Sequence, residues 1–346
     1  MPEPKHILVS RFSSMGDVAM TVPVLKALLN QYPDVEITYI SRPQFAGFFK
    51  DIPRLTYFPA DLDKEFKGFN GIIKLYNQLK KQQKFIGFAD MHGSLRTKVL
   101  RRLFRLSGVK YAYINKGREE KKLLTRFPNK VFKPLKRTIE RYADVFQELG
   151  FTLNLNYELA KDLRPLTEDI LKITSNKNKT WIGISPFAKH DGKIFPLEKM
   201  EDVISELSKQ DLTVFLFGGS ESEMAICNTW ALKYENVVSV VRKLSMEQEL
   251  VLISQLDVML SMDSAGMHLA SLVGTPAVSI WGATHHYAGF LGYGQSESDI
   301  IGDSIECRPC SVYGDKPCFR GDYACLHRIQ TKTVIEHLSK YTTAKQ

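Results

Sequence analysis

The chain of 346 residues lacks several features that would assign it to a common class of protein. No segment approaches the ~20 consecutive apolar residues that a membrane-spanning helix needs. Neither the G-x-G-x-x-G pattern of ordinary dinucleotide-binding loops nor the G-x-x-x-x-G-K-[ST] phosphate loop occurs. Residues 1–6 lead directly into a strand-like segment, so we expect no signal peptide. These absences argue against a membrane-spanning protein, a P-loop NTPase and an ordinary NAD-dependent enzyme.

The composition is that of an ordinary globular protein, with 44% hydrophobic and 25% charged residues. The net charge of +9 is unevenly distributed. Residues 1–150 carry a balance of +14 and residues 151–346 a balance of −5, and the excess peaks at +13 over residues 96–141. Such a field indicates an anionic partner, namely nucleic acid, an anionic membrane or a phosphorylated substrate. A solvated helical face is the alternative.

Strand-like apolar segments alternate with segments of helical period along the whole chain. This alternation predicts βαβ units and a mostly parallel sheet. The series occurs twice, on either side of a polar stretch at residues 174–180. We therefore predict two Rossmann-like domains, at residues 1–165 and 178–330, followed by a C-terminal helix at residues 331–346. Ligands of open α/β sheets bind at the carboxyl ends of the strands, so we expect a site in a cleft between the domains.

The first candidate motif, RFSSMGDV at residues 11–18, lies where the first predicted strand turns into a helix. Gly16 permits a tight turn and the close approach of a ligand. Asp17 follows at the helix start, where its carboxylate could act as a general base. Because Asp is also a favoured helix-capping residue, a purely structural role stays open.

The second motif, SMDSAGMH at residues 261–268, follows an apolar strand. The N–H groups of a first helical turn, together with the helix dipole, form a site suited to a pyrophosphate. Asp263 ends the strand, and Gly266 would let a phosphate approach the backbone. His268 either contacts the ligand or is a buried histidine whose hydrogen bonds are satisfied.

Two further segments place glycines after predicted strands. In residues 185–193, Ser185 ends a strand and Lys193 could neutralise charge developing on a leaving group. A solvent-facing lysine is the alternative. In residues 217–223, a carboxylate could hold a ribose hydroxyl, or could simply be a charge at a helix start.

In this order, the segments resemble those of glycosyltransferase family 9, the heptosyltransferases of lipopolysaccharide core assembly. Residues 11–18 resemble the family's R-x-S-x-x-G-D-V, and residues 90–96 resemble its D-x-x-G-x-x-R. Residues 185–196 resemble its K-x-W-P loop, with Phe195 in place of Trp, and residues 261–284 resemble its most specific signature, which begins D-[TS]-G-x-x-H. The resemblance implies an α/β protein of GT-B fold, with two Rossmann-like domains facing across a cleft. It also implies an inverting glycosyltransferase that requires no cofactor for catalysis.

The resemblance assigns a role to each matching residue. Asp17, in the loop that contains Gly16, would deprotonate the acceptor hydroxyl, and Arg96 would meet the acceptor. Lys193 would steady the phosphates of the donor. The residues that would hold the donor nucleotide and its pyrophosphate are Ser185, Asp263, Ser264, Ala265, Gly266, Met267 and His268.

The ribose contact is assigned to Glu223, with Glu221 as the alternative. Ala265 stands where the family usually has Gly, and His286 where it often has Pro. Both departures fall near the expected donor site, so the sequence does not fix the donor sugar.

Four of the five cysteines cluster near the C-terminus, whereas Cys227 is isolated. In a cytoplasmic protein, clustered cysteines indicate metal ligation more than disulfides. A structural zinc, reduced thiols and redox pairing all stay open for the cluster, which consists of Cys307, Cys310, Cys318 and Cys325.

Together these features predict a cytoplasmic enzyme, peripheral to the inner face of a bacterial inner membrane. The expected donor is ADP-heptose, and the expected acceptor is an anionic lipid-linked saccharide such as the lipopolysaccharide core. The basic field would then serve an anionic membrane surface, and we expect no nucleic acid. The alternative is a basic Rossmann-like protein that binds nucleic acid, or nucleotide without catalysis, through aromatic residues such as Tyr111, Tyr113 and Phe127.

Overall fold

A computed structural model describes residues 4–342 of the chain. The chain divides into two compact units, the first comprising Met1–Lys116 and Arg137–Asn156, and the second comprising Gly117–Lys136 and Tyr157–Gln346. The first unit ends at Asn156, whereas the predicted bound is residue 165. Two segments also lie outside their predicted domains: Gly117–Lys136 belongs to the second unit although we assigned it to the first, and the predicted C-terminal helix, seen as Thr331–Thr342, is part of the second unit. Residues 343–346 of that predicted helix lie outside the described residues.

The first unit is built on a parallel sheet in the order β3-β2-β1-β4-β5. Its strands are β1 (Lys5–Ser10), β2 (Val35–Ser41), β3 (Leu55–Pro59), β4 (Gly87–Asp90) and β5 (Lys110–Tyr113). Its α-helices are α1 (Met15–Ala19), α2 (Thr21–Gln31), α3 (Gly68–Gln82), α4 (Leu95–Leu106) and α6 (Thr138–Glu148), and a 3₁₀ helix spans Pro43–Phe48.

The second unit contains a parallel sheet in the order β11-β10-β9-β6-β7-β8. Its strands are β6 (Thr180–Ser185), β7 (Leu212–Leu216), β8 (Val237–Ser239), β9 (Val258–Met262), β10 (Ala277–Ile280) and β11 (Ile300–Ile301). Its α-helices are α5 (Arg118–Thr125), α7 (Glu168–Thr174), α8 (Leu197–Ser208), α9 (Glu221–Lys233), α10 (Met246–Gln255), α11 (Ala265–Leu272), α12 (Ala324–His327) and α13 (Thr331–Thr342). Its 3₁₀ helices span Asp191–Lys193, His286–Ala288 and Glu297–Asp299.

Both strand orders are those of doubly wound Rossmann-like sheets, which confirms the predicted fold class. The central strands are apolar because helices cover both of their faces; Ile7, Leu8 and Val9 of β1, for example, are wholly buried. The strand order reverses between β1 and β4 in the first unit and between β6 and β9 in the second. Ligands of such sheets bind outside the carboxyl ends of the strands at this switch point.

The two corrected segments owe their placement to buried apolar side chains. Val334 and Leu338 of α13 lie in the core of the second unit, where this helix packs on α8. In Gly117–Lys136, Leu124 and Leu135 are buried against Ala288. No helix within residues 4–342 is long and apolar enough to cross a membrane.

Leu338 provides a test of whether α13 belongs to the second core. Leu338→Ala should lower the free energy of unfolding by about 2–5 kcal/mol, because it leaves a cavity between α13 and the sheet. The control Leu232→Ala, at a side chain that is 90% exposed, should change it by less than about 0.5 kcal/mol. Urea titration followed by tryptophan fluorescence reports on this unit, since Trp181, Trp230 and Trp281 are all buried within it. Equal midpoints for the two variants would refute the packing.

Candidate functional site

In the first unit, the loop after β1 places Asp17 in the first turn of α1. Arg11 Nη2 lies 2.6 Å from Asp17 Oδ2, and the hydroxyl and backbone N–H of Ser14 donate to the same oxygen at 2.7 and 3.1 Å. Within residues 4–342, the hydrogen bonds and the ion pair of this carboxylate all fall on Oδ2. Oδ1 is therefore the oxygen that is left for a ligand, and the side chain remains 20% exposed.

The charge of Asp17 is held by its surroundings. Burial alone would raise the pKa of this carboxyl, but the Arg11 guanidinium and the hydrogen bonds from Ser14 outweigh it, so the pKa lies below its usual value. Arg11 is itself fixed, because Nη1 donates to the carbonyl of Met91 at 2.7 Å. Asp17 thus takes part in capping α1 as the N3 residue of a capping box whose N-cap is Ser14, and its lowered pKa favours the ionised carboxylate. Its role as a general base stays a prediction.

The neighbouring strand β4 ends in Asp90, which organises the next loop. The Oδ1 atom of Asp90 accepts from the backbone N–H groups of His92 and Gly93 at 3.0 and 2.9 Å. Its Oδ2 atom lies 3.0 Å from Arg101 Nε, in a buried ion pair. Asp90 is wholly buried, so its role is to hold the loop that carries His92.

His92 is a member of this site that the sequence analysis did not single out. Its ring packs edge-on against Phe12, with the centroids 5.7 Å apart. Burial, followed by the charges of Arg11 and Lys116, lowers the pKa of His92 to about 3, so the imidazole is neutral at physiological pH. Arg96, the predicted acceptor contact, lies exposed in the first turn of α4, after the loop that Asp90 organises.

In the second unit, α11 begins directly after β9, with its first turn beside the end of β6. The approach is close enough that a Cβ on Gly266 would lie 2.7 Å from Ser185 Cβ and 2.8 Å from Ser261 Oγ. Only glycine fits here, and its lack of a side chain lets Ser185 and the start of α11 lie side by side. Their binding of the donor stays a prediction. The N–H groups of Ala265 and Gly266 have no acceptor in the described part of the chain. They are oriented as donors at a helix N-terminus, where an anion is stabilised.

The other members of the predicted donor set lie deeper. His268 is buried, and Met267 is wholly buried with its backbone N–H donating to Ser261 Oγ at 3.1 Å. Met267 therefore offers neither an exposed side chain nor a free backbone donor. Its part in donor binding stays a prediction and would have to act through packing.

Lys193 and Asp263 form a buried ion pair beside α11. Lys193 Nζ lies 2.8 Å from Asp263 Oδ2 and donates to the carbonyl of Asp263 at 3.0 Å. Asp263 is only 3% exposed and Lys193 15%. The aliphatic stem of Lys193 lies against Gly314, where an added Cβ would meet it at 2.7 Å. The lysine is therefore positioned by the protein and is not a solvent-facing side chain.

Arg308 supports the loop next to this pair, and the sequence analysis missed it. Its Nε donates to the carbonyls of Gly282 and Thr284 at 2.9 and 3.1 Å. Burial lowers the pKa of Arg308 to about 10, although the nearby charges of Cys325, Asp303 and Asp263 act in the opposite direction. In the sequence, this arginine lies between the first two cysteines of the cluster, in C-R-P-C. The cysteines drew attention to the segment but did not identify the arginine.

Glu223 acts as a helix cap. Its Oε2 accepts from the backbone N–H groups of Gly219 and Ser220 at 2.6 and 3.0 Å, while Ser220 Oγ accepts from the N–H of Glu223. The alternative residue Glu221 is paired with Arg242 at 2.8 Å. A ribose contact by either carboxylate stays a prediction.

The cysteines of the C-terminal cluster are all in the free thiol form. Cys325 is buried in the core, and burial raises its pKa to about 12. For Cys318, burial raises the pKa, but hydrogen bonds from the backbone N–H groups of residues 320–323 outweigh burial and lower the pKa below its usual value. The Cys318 thiol is therefore more acidic than that of Cys325. Within residues 4–342, no group of three or more His, Cys, Asp or Glu side chains is arranged to hold a metal ion. The structural zinc stays a hypothesis.

Comparison with known proteins gives the class and the family. The chain resembles the glycosyltransferase family 9 protein from Veillonella parvula with a TM-score of 0.74 and 17% identity, covering 99% of this chain and 98% of that one. It resembles the E. coli heptosyltransferase WaaC, solved with ADP, with a TM-score of 0.66 and 16% identity, covering 97% and 99%. The protein therefore has the GT-B fold, as the sequence predicts.

The family model for glycosyltransferase family 9 (heptosyltransferase) matches residues 72–317. The chain belongs to this family. The lipopolysaccharide core heptosyltransferase OpsX of Haemophilus influenzae is 26% identical over 289 residues, which cover 80% of this chain and 79% of that protein.

The buried pair makes a prediction about stability. Lys193→Met should lower the free energy of unfolding of the second unit by about 3–5 kcal/mol, because it leaves the Asp263 carboxylate buried without its cation. The control Lys172→Met breaks a pair whose side chains are 71% and 68% exposed, and should cost less than about 1 kcal/mol. Urea titration followed by tryptophan fluorescence measures both. Equal effects would mean that Asp263 draws its stabilisation from elsewhere.

Proposed function

We propose that this protein transfers heptose from ADP-heptose to a saccharide of the lipopolysaccharide core or a related lipid-linked saccharide. The observation that carries the proposal is the Arg11–Asp17 pair at the carboxyl end of β1, in a chain of family 9. The pair holds a carboxylate ionised and leaves one of its oxygens available for a hydroxyl group. The name of the Haemophilus influenzae relative supports the choice of heptose and of the core acceptor.

In the proposed reaction, the acceptor hydroxyl gives its proton to Asp17 Oδ1. The acceptor oxygen attacks the anomeric carbon of the heptose from the side opposite the diphosphate. As the new C–O bond forms, the bond between the anomeric carbon and the phosphate oxygen breaks. ADP leaves with the electron pair, and the configuration at the anomeric carbon inverts.

The proposed donor site stabilises the charge that develops on the leaving ADP. The N–H groups of Ala265 and Gly266 and the dipole of α11 would face the diphosphate. Lys193, fixed by Asp263, would supply a localised positive charge. This proposal assigns the chemistry to protein groups alone, and any metal bound by the cysteine cluster would be structural.

We further propose that the protein works in the cytoplasm at the inner face of a bacterial inner membrane, where it would meet a lipid-anchored acceptor. The proposal is tested by incubating the protein with ADP-heptose and a core acceptor and measuring ADP release and product mass. A matched panel of UDP-, GDP- and ADP-linked hexoses tests the donor. Turnover with another donor and none with ADP-heptose would overturn the donor assignment.

Asp17 is the residue on which turnover should depend most. Asp17→Asn should lower kcat by about 10²–10⁴-fold, because the amide cannot accept the hydroxyl proton. The Kd for ADP, measured by calorimetry, should stay within about twofold, which separates loss of the base from loss of the donor site. Asp34→Asn, at a half-exposed carboxylate paired with Lys5, is the control and should leave kcat unchanged. A near-normal kcat for Asp17→Asn would refute the assignment.

Arg11 makes a prediction about pH. Since the pKa of Asp17 lies below its usual value, the base form persists as the pH falls, and kcat/KM should show no acid limb from Asp17 between pH 5 and 8. In Arg11→Gln, burial acts without the opposing cation, so the pKa of Asp17 rises and the acid limb of kcat/KM moves to higher pH. Arg164→Gln, at an arginine paired with Asp162, should leave the profile unchanged. An unchanged profile in Arg11→Gln would show that Arg11 does not control the ionisation.

A further inference from the structure

The segment Gly117–Lys136, here called the basic loop, exposes several apolar side chains at the surface. The loop folds back on itself, because Val131 donates its backbone N–H to the carbonyl of Leu123 at 3.0 Å. Phe127 lies midway between these two residues, and its ring stacks on that of Phe319 with centroids 5.7 Å apart. These apolar side chains and that of Phe132 are between 36% and 62% exposed.

The opposite face of the basic loop fixes it to the second unit. Leu124 and Leu135 are buried, and Leu135 donates its N–H to the carbonyl of Tyr287 at 2.9 Å. Lys121 is buried with its Nζ 4.2 Å from the centroid of the Phe290 ring. The exposed apolar side chains are therefore presented by a held segment and not by a loose one.

Cations alternate with these apolar side chains along the basic loop. The basic loop contains seven Lys or Arg residues and only two Glu residues. Lys121 and Lys130 serve the fold, since Lys130 donates to the carbonyls of Glu306 and Cys307. Lys122, Arg126 and Lys133 are exposed beside the apolar side chains.

The cations of the basic stretch at residues 96–141 are not all exposed, so only some of them can contact a partner. Arg101 is buried in its pair with Asp90, and Arg141 is also buried. These two cations of the basic stretch at residues 96–141 therefore serve the first unit's own packing. Leu106 and Tyr113, elsewhere in this stretch, are also exposed near exposed cations such as Arg105. The basic loop is the part of the stretch with the most exposed apolar side chains, namely those of Leu123, Phe127, Val131 and Phe132.

We propose that the basic loop, together with Phe319, is a docking surface that inserts its apolar side chains into an anionic phospholipid bilayer. Apolar side chains enter the boundary between headgroups and acyl chains, while Lys and Arg remain at the anionic headgroups. Leu123 and Val131 suit a bilayer and have no stacking face to offer a nucleic-acid base. The proposal rests on the proposed function in that a lipid-anchored acceptor requires an enzyme at the membrane, but lipid binding is measured without turnover.

The experiment is cosedimentation of the full-length protein with vesicles of phosphatidylethanolamine and phosphatidylglycerol, and with vesicles of phosphatidylcholine alone. The protein should bind the anionic vesicles and not the neutral ones. Phe127→Ser combined with Phe319→Ser should weaken binding by about tenfold or more, since both changes remove insertable surface. Arg126→Ser combined with Lys133→Ser should weaken it by about fivefold per charge, and high salt should do the same. Leu232→Ser, at an exposed apolar residue of α9, should have no effect.

A fluorescent reporter distinguishes insertion from simple electrostatic adsorption. The three native tryptophans are buried, so Phe127→Trp introduces an exposed indole. Its emission should shift to shorter wavelength on anionic vesicles and be quenched by brominated acyl chains, whereas Leu232→Trp should show neither change. The proposal would be overturned if the variant with Phe127→Ser and Phe319→Ser bound vesicles as well as Leu232→Ser does. Absence of quenching of the Phe127→Trp indole would overturn it too. Self-association of the protein through Phe127 would also overturn it, as would binding to nucleic acid with no binding to vesicles. Neither outcome would affect the result of the sugar-transfer assay, which is measured separately.

Discussion

The structure depends on one constraint, the reversal of strand order at the centre of each parallel sheet. At that point the connections leave the sheet in opposite directions. The carboxyl ends of β1 and β4, and those of β6 and β9, therefore lie side by side with no connection crossing over them. The segments that follow these strands place functional groups at the carboxyl edge of each sheet. In the first unit the group is the Asp17 carboxylate after β1, and in the second it is the start of α11 after β9. The candidate residues Asp17 and Gly266, which are far apart in sequence, occupy equivalent positions in their own sheets.

Each edge is completed by a cation that is paired with a carboxylate. In the first unit Arg11 holds Asp17, and in the second Lys193 holds Asp263. A buried charge is tolerated only when it is paired and hydrogen-bonded, so each pair fixes a charged group that a flexible side chain could not hold in place. The two pairs differ in what they leave available. In the first it is an oxygen of the carboxylate, which suits a base, and in the second it is positive charge beside a helix N-terminus, which suits an anion.

The alternation of strands and helices predicted both sheets, and the motifs indicate which strand ends are candidates for the chemistry. Local patterns could not predict Arg308 or His92, because their roles arise from loops that meet only in three dimensions. The predicted assignment of Gly117–Lys136 to the first domain differs from the structure for the same reason. That assignment rested on proximity in sequence, whereas Leu124 and Leu135 are buried by residues more than 140 positions further along. Glu223 shows the opposite limit, since a charge at a helix start was open from the sequence and the local pattern S-x-x-E accounts for the observed cap. Its contact with a ribose stays a prediction.

The basic charge that dominates the N-terminal part of the sequence therefore separates into two physical kinds. Arg101 and Arg141 are buried and form part of the packing of the first unit, so changing them would damage the fold before it changed any partner. Lys122, Arg126 and Lys133 are exposed, and they flank apolar side chains that gain nothing from water. A charge count over the sequence adds the two kinds together. Only the second kind can report on a partner, and the apolar side chains between these cations favour a lipid surface over a purely ionic one.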